Sequence, residues 1–414
     1  MIFKTRFWLQ ISLINLLVVA VLGVLMRYKI AYSFPHLDQK HLQHAHSHFA
    51  FIGWVAQTLF VLMIEKVVRY GRTGNVVLYE RLLALNLFAS YGMLVTFAFQ
   101  GYSLFSISFS TLSVLVAYLL AYSLNKDLRE LPGVVFKPWF NAALLFNVLS
   151  SVGTFALAFM MATKNFNTNF HLGALYFYLH FQYNGFFSFA CIGLLLASIK
   201  VVMPVLLNNR LIFALFFYAC FPAYLLSTLW ANLPSWLVFI VVLAAIAQLL
   251  AWFLLLQQVR IAFKVSLDFL KNWRLIFYVI AVSVSVKLLL QLGSTIPAVS
   301  KLAFGFRPIV IAYLHLILLA IVSVFMVTYI YAQGLLMHSR KIEIALFAFV
   351  IMVYINEVLL GIQGIAALDY IGIPHVNDLL FIVALGISVA ILALIGLTIK
   401  RRDLQEAKIK CTVP

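Results

Sequence analysis

The chain has 414 residues, of which 65% are hydrophobic and 10% charged, and its mean hydropathy is +1.06. A soluble globular chain is about 45–50% apolar and about 25% charged, so this composition excludes a soluble enzyme and indicates a polytopic membrane protein. The net charge of +17 would suggest nucleic acid in a soluble chain, but here it is explained by cationic loops, and no nucleic-acid partner is expected.

Twelve apolar stretches are long enough to cross a membrane, which takes about 20 apolar residues. They predict an all-α polytopic membrane protein, a bundle of about 12 transmembrane helices that forms one transmembrane domain over residues 1–414. In chain order, the predicted helices 1 to 12 cover residues 7–26, 45–64, 82–101, 104–123, 139–161, 174–199, 211–230, 235–257, 275–293, 308–332, 342–362 and 377–399.

The distribution of Lys and Arg sets the expected orientation of these helices. If the N-terminus is inside, 22 of the 29 basic residues fall in segments on the inner side, 6 fall on the outer side, and Lys287 lies within a helix. Cytoplasmic loops carry an excess of basic residues, so both termini are predicted to be cytoplasmic. The expected location is the cell inner (plasma) membrane, where the multi-pass chain contacts lipid.

Histidine is concentrated around the start of predicted helix 2, where five of the ten histidines lie between His36 and His48. On a helix, His44 and His48 are four residues apart and share a face, whereas His46 points away, so only one of these two sets can face the bundle. Imidazole binds transition metals and heme iron, which makes these residues candidate ligands. The alternative is that they are interfacial histidines in contact with water.

Two later helices each carry a histidine at a similar predicted depth. His180 is six residues into predicted helix 6 from its outer end and His315 is seven residues into predicted helix 10, which is about 9–10 Å at 1.5 Å per residue. Polar groups are costly in the bilayer and are functional candidates there. Each histidine could be a ligand or could be hydrogen-bonded between helices, and the shared depth could be coincidence.

Three other polar residues of the predicted helices are candidates for catalysis or charge transfer. Glu357, next to Asn356 in predicted helix 11, could carry a proton, ligate a metal or be a neutral, hydrogen-bonded carboxyl. Lys287, near mid-membrane in predicted helix 9, could belong to a proton path, snorkel or pair with Glu357. Tyr183, three residues after His180, could donate a proton or only a hydrogen bond.

The placement of histidines on predicted helices 2, 6 and 10 resembles the core subunit of heme–copper oxidases and nitric oxide reductases. Around His180 the sequence reads His-Phe-Gln-Tyr-Asn-Gly-Phe-Phe, similar to that family's histidine followed by a Gly-Phe-Phe run. Predicted helix 2 has a similar His-x-His and Gly pattern at His46, His48 and Gly53. Predicted helix 10 keeps only the second histidine of the family's His-x-His pattern, His315. The resemblance covers the whole chain at the level of topology.

The resemblance implies a set of cofactors and ligands. In that family, histidines of helices 2 and 10 ligate a low-spin heme, which here implies His48 or His44 together with His315. It also implies a second metal, copper or iron, with His180 and His46 as candidate ligands. The chain has no Cys-x-x-Cys-His motif, so the heme would be bound without a covalent link and a b-type heme is expected.

The sequence also departs from the family pattern. Predicted helix 7 contains no histidine, so two of the three usual ligands of the oxygen-reducing metal are missing. One histidine on predicted helix 10 cannot hold two hemes in the usual way. A complete oxygen-reducing site is therefore not expected. The NnrS type of membrane heme–copper protein, which also has twelve helices and is associated with nitric oxide tolerance, is a second resemblance.

The sequence leaves three functions open. The first is a membrane heme protein for electron transfer or for binding a small gas such as NO or O2, with an electron donor or a partner membrane subunit. Any enzymatic activity would be oxidoreductase-like, with Tyr183, Glu357 and Lys287 as candidate catalytic residues. The second is a histidine-lined transporter or channel for metal ions or protons, with Glu357 and Lys287 as charge carriers. The third is a structural or assembly protein without a cofactor.

Overall fold

The described part of the chain is built from long helices. The structure, a computed structural model, describes residues 2–32, 34–71, 75–164, 167–200, 209–265, 273–300 and 306–412. Twelve helices among these residues are long and apolar enough to cross a membrane, which confirms the predicted all-α polytopic membrane protein. They are α1 (Thr5–Ala31), α2 (Gln39–Tyr70), α3 (Val76–Gln100), α4 (Leu104–Glu130), α5 (Lys137–Thr163), α6 (Thr168–Ile199), α7 (Asn209–Ala231), α8 (Ser235–Ala262), α9 (Arg274–Gly293), α10 (Arg307–Ala332), α11 (Arg340–Leu368) and α12 (Val376–Ile399).

Helix α2 begins before the apolar stretch that predicts it, because a polar cap starts it at Gln39. The Asp38 carboxylate accepts hydrogen bonds from the backbone N–H groups of His41, at 2.9 Å, and Lys40, at 2.8 Å. These bonds favour the charged carboxylate and hold the pKa of Asp38 below its usual value. The cap is therefore intact at neutral pH and weakens as the carboxylate is protonated. It places the histidines that follow Asp38 on a helix.

Helix α6 also begins early, and this changes the expected position of His180. The Asn167 side chain accepts a hydrogen bond from the Phe170 N–H at 3.0 Å and starts the helix at Thr168. His180 therefore lies twelve residues into the helix, about 18 Å from its start, which is twice the predicted distance. His48 lies nine residues into α2 and His315 eight residues into α10.

The chain folds into two compact units. Unit 1 comprises Met1–Glu65, Gly74–Val116 and Ser323–Pro414, and unit 2 comprises Lys66–Thr73 and Ala117–Val322. Unit 1 therefore contains α1, most of α2, α3, α11 and α12, and unit 2 contains α5 to α9 and most of α10. Helix α4 is divided between the units at Val116. The single transmembrane domain over 1–414 stays a prediction.

Helices α2 and α6 are enclosed by protein to a much greater extent than the other ten. Buried residues make up 89% of the most apolar part of α2 and 83% of that of α6, against 28–39% in the other described spans. Polar side chains on α2 and α6 are thus surrounded mainly by other helices rather than by lipid. Such surroundings are where intramembrane polar residues are tolerated and are functional candidates.

Close contact between α5 and α6 in unit 2 depends on a glycine. A methyl group on Gly153 of α5 would lie 2.4 Å from the Ala174 carbonyl oxygen and 2.8 Å from the Tyr178 nitrogen. Both atoms belong to the backbone of α6, so they cannot be displaced by rotating a side chain. Small residues allow membrane helices to approach this closely.

We predict that Gly153→Ala lowers the free energy of unfolding by about 1–3 kcal/mol, because the methyl group must push α6 away from α5. Thermal unfolding in detergent, followed by tryptophan fluorescence, measures the change. Gly361→Ala in α11 is the matched control, since a methyl group there would meet nothing within 4 Å. The control should unfold at or slightly above the wild-type temperature, and an equal loss in both variants would contradict the close-contact explanation.

Candidate functional site

A π-helical segment follows a histidine in three of the helices. The segments are Phe49–Ala56 after His48 in α2, Phe181–Phe187 after His180 in α6, and Leu316–Ser323 after His315 in α10. π-Helical turns are rare, and they occur frequently at functional sites. The backbone therefore marks the same three histidines that the resemblance to heme–copper oxidases selects.

A π turn changes the pairing of backbone carbonyls, and side chains bond several carbonyls of these segments. The hydrogen bonds are Asn15 Nδ2 to the Gly53 oxygen, Thr58 Oγ1 to the Trp54 oxygen, and Ser188 Oγ to the Tyr183 oxygen, each 2.6 Å long. Asn15 is itself oriented by the Tyr91 hydroxyl, which donates to Asn15 Oδ1 at 3.0 Å. The π segments of α2 and α6 are therefore fixed by polar side chains.

The histidines of α2 face two different neighbours within unit 1, as their spacing predicts. His48 stacks on Phe97 of α3, with ring centroids 4.3 Å apart, and its Nε2 is 3.4 Å from the Tyr102 hydroxyl. His44 packs edge-on against the same Tyr102 ring, at 4.7 Å. His46 instead faces α1, where its Cε1 lies 3.7 Å from the position of a methyl group on Gly23. His44 and His48 thus share an aromatic environment that His46 does not enter.

The indole of Trp54 links α2 to α10 within unit 1. Trp54 is fully buried, and its Nε1 donates a hydrogen bond to Ser323 Oγ at 2.8 Å. Both residues lie at or near the end of a π segment. The bond therefore ties the start of α2's buried part to Ser323 within this unit.

In unit 2, both ring nitrogens of His180 are hydrogen-bonded. Nε2 lies 2.8 Å from the carbonyl oxygen of Cys220 in α7, and Nδ1 lies 3.0 Å from Asn184 Nδ2. Because a carbonyl oxygen only accepts, Nε2 must carry the proton, and Nδ1 then accepts from the Asn184 amide. His180 is fully buried, so this neutral tautomer is held in place from both sides.

The chain of hydrogen bonds continues from Asn184 to Lys287. Lys287 Nζ of α9 donates to Asn184 Oδ1 at 2.5 Å, and both side chains are buried. The bonds therefore run in one direction, from the ammonium through Asn184 and His180 to the Cys220 carbonyl. Lys287 does not snorkel, since it is 8% exposed. Its predicted pairing with Glu357, which belongs to unit 1, stays a prediction.

Two other candidate catalytic residues lie in different surroundings. Tyr183 is buried within the π segment of α6, and its ring centroid lies 6.4 Å from that of His180. Glu357 of α11 accepts a hydrogen bond from the neighbouring Asn356 at 3.2 Å. Tyr183 thus adjoins the His180 network, and Glu357 belongs to a separate unit.

His315 has the hydrogen bond that orients a ligating imidazole. Its Nδ1 lies 2.9 Å from the carbonyl oxygen of Ile311 in the same helix, so Nδ1 carries the proton. In the neutral imidazole the lone pair is then on Nε2. Histidines that ligate metals commonly donate their other ring N–H to a backbone carbonyl in this way.

The structure does not bring the candidate ligands into a dense metal cluster. Within the described residues, no three His, Cys, Asp or Glu side chains converge as a metal site. His46 and His180, the predicted metal ligands, belong to different units. Metal ligation by His180 stays a prediction, and it would require the ring to give up one of its two hydrogen bonds.

The structure adds residues that the sequence reading did not include. Asn184 joins His180 to Lys287, and the Cys220 carbonyl completes the chain. Asn184 could have been found because it lies four residues after His180 and follows the same helix face. The π segments could have been suspected from a shared pattern, since each of the three histidines is followed five residues later by a small residue: Gly53, Gly185 or Ala320.

No protein-family model matches the chain, and a comparison with curated proteins returns no match. The resemblance to heme–copper oxidases therefore rests on the histidine-bearing segments and on the number of helices.

We predict that Asn184→Ala lowers the free energy of unfolding by about 2–4 kcal/mol, because it leaves a buried ammonium without its acceptor and a buried imidazole without its donor. Chemical or thermal unfolding in detergent measures the loss. Asn141→Ala is the control, since it removes a partly buried bond between two neutral amides, Asn125 to Asn141 at 3.2 Å. If the two substitutions cost the same, the Asn184 network is no stronger than an ordinary amide pair.

Proposed function

We propose that this chain is a membrane heme protein that transfers electrons or binds a small gas such as NO or O2, and that it resembles a reduced heme–copper oxidase core subunit. The proposal is supported mainly by His315, whose Nδ1–H is bonded to a backbone carbonyl and whose lone pair is on Nε2. It is also supported by the three π segments, each of which begins directly after a candidate histidine.

His315 of α10 fits a residue that would hold the iron of a heme. The bond from Nδ1 to the Ile311 carbonyl fixes both the tautomer and the ring orientation, which are the two properties that a ligating imidazole needs. When bound, a heme supplies an iron that can exchange one electron or hold a diatomic gas. The sequence expectation names His48 or His44 as the second ligand; both belong to unit 1 and His315 to unit 2, so this pairing stays a prediction.

The hydrogen bonds of His180 favour a positioning role over ligation. Its two nitrogens are committed to Cys220 and Asn184, so in this arrangement neither is offered to a metal. His180 instead holds α6 to α7 and keeps the π segment of α6 in register. With one histidine on α10 and no histidine on α7, the proposal does not include oxygen reduction at a complete two-metal site.

The proposal places the multi-pass chain in the cell inner membrane with both termini in the cytoplasm, as the distribution of Lys and Arg favours. Electrons would come from a donor protein or from a partner membrane subunit. The heme would be b-type, because the chain has no motif for covalent attachment.

The test is the absorption spectrum of detergent-purified protein, oxidised and dithionite-reduced, with a pyridine hemochrome assay. We expect a Soret band and a reduced α band that His315→Ala removes. Hydrogen-bond partners of a ligand alone change affinity by about 10–100-fold, so loss of the ligand should reduce heme retention at least as much. His48→Ala and His44→Ala identify the second ligand.

His171→Ala is the matched control, because His171 is an exposed histidine of the same unit. It should leave the spectrum unchanged. A colourless wild-type protein, after expression with ample heme, would overturn the proposal and favour a transporter or a cofactor-free scaffold. Substrate-dependent flux in vesicles would separate those two.

A further inference from the structure

Lys287 is a buried cation with few partners. It lies in the interior of unit 2, 8% exposed, and an ammonium has three N–H donors. Within the described part of the chain, the bond to Asn184 Oδ1 is its one hydrogen bond. The other two donors have no hydrogen-bond acceptor among the described residues, and an unsatisfied buried charge is costly.

The described acidic residues of unit 2 are not placed to neutralise this charge. Unit 2 contains Asp127, Glu130 and Asp268. Asp127 and Glu130 lie at the end of α4, and because successive spans run in opposite directions, that is the side of the membrane at which α9 begins. Lys287 lies near the other end of α9, six residues before Gly293. Asp268 lies outside the described residues, and in sequence it precedes the start of α9.

The hydrogen-bond network also supplies no second strong acceptor, because the Cys220 thiol beside the ammonium is only a weak one. Asn184 gives its oxygen to Lys287 and its N–H to His180, and His180 gives its own N–H to the Cys220 carbonyl. Rotating any of these groups would place two donors or two acceptors face to face. The network therefore holds the ammonium in position and leaves its positive charge in place.

A second buried group on the same helix face is uncommitted. Gln291 lies four residues after Lys287, which places both side chains on one face of α9. It is 7% exposed, and its Oε1 has no hydrogen-bond partner within the described part of the chain. Its side-chain amide is therefore able to turn and present its N–H group beside the ammonium.

We propose that Lys287 and Gln291 form a binding site for a small monovalent anion, such as formate or nitrite, in the interior of unit 2. The ammonium supplies the charge and two donors, the Gln291 amide supplies a further donor, and Asn184 positions the ammonium. The ligand must be small because His180, Asn184 and Cys220 around the site are all buried. The site is independent of the proposed heme.

The experiment is thermal unfolding of the detergent-purified full chain in rising sodium formate or sodium nitrite, with sodium gluconate at equal ionic strength as the reference. A ligand that binds only the folded state raises the unfolding temperature with its concentration. We expect the unfolding temperature to rise by a few degrees in formate or nitrite and not in gluconate. At high anion concentration the rise should follow the logarithm of the concentration, as one-site binding requires. Lys287→Gln should abolish the difference between the anions.

Two further variants keep the test decisive if Lys287→Gln does not fold. Gln291→Glu places a carboxylate one turn from the ammonium, so it should unfold at a higher temperature than wild type and lose the response to formate. Lys29→Gln is the matched lysine control. The Lys29 ammonium already donates to the carbonyls of Phe34 and Leu37, each at 2.5 Å, so this variant should keep the full response.

The absence of any difference between formate or nitrite and gluconate in the wild type would overturn the proposal. A response that persists unchanged in Gln291→Glu would do the same. The two proposals are tested by different measurements, since anion binding is read from the unfolding temperature and heme binding from the absorption spectrum. A protein without heme can therefore still show anion binding, and a heme protein can fail to show it.

Discussion

A carbonyl group that loses its helical partner in the hydrocarbon layer has no water to bond to, and this constraint explains much of the polar content of the chain. The three π segments alter the carbonyl pairing of α2, α6 and α10. Asn15, Thr58 and Ser188 donate to carbonyls of the segments in α2 and α6. A buried polar residue in this protein can therefore serve the backbone, and its presence alone does not identify a functional site.

The directions of the hydrogen bonds distinguish the histidines better than their depth does. The chain of hydrogen bonds from Lys287 to the Cys220 carbonyl begins at a group that can only donate and ends at a group that can only accept. This fixes the donor or acceptor role of every group between them. His180 is thereby made neutral, with no ring nitrogen to spare. His315 donates through Nδ1 to its own helix, so its neutral ring carries the proton on Nδ1, whereas that of His180 carries it on Nε2. Two histidines that look equivalent in the sequence thus have different chemistry.

The number and order of helices could be predicted from the sequence because membrane crossing depends on hydropathy averaged over about 20 residues. Helix starts were less predictable, since Asp38 and Asn167 extend α2 and α6 through polar residues that lower the average. The π segments and the Asn184 network could not be derived, because both depend on which side chain meets which carbonyl across helices. The pairing of His44 with His48, and the separation of His46, followed from helical spacing alone.

Lys287 is difficult to explain as a purely structural residue. Replacing a buried charged group by an apolar one of similar size is often neutral or stabilising, so holding α9 against α6 does not require an ammonium. The ammonium also gains only one hydrogen bond, from a neutral amide, in return for losing its water. An anion beside Gln291 would satisfy the remaining donors and neutralise the charge. The cation is therefore better explained by a ligand than by packing.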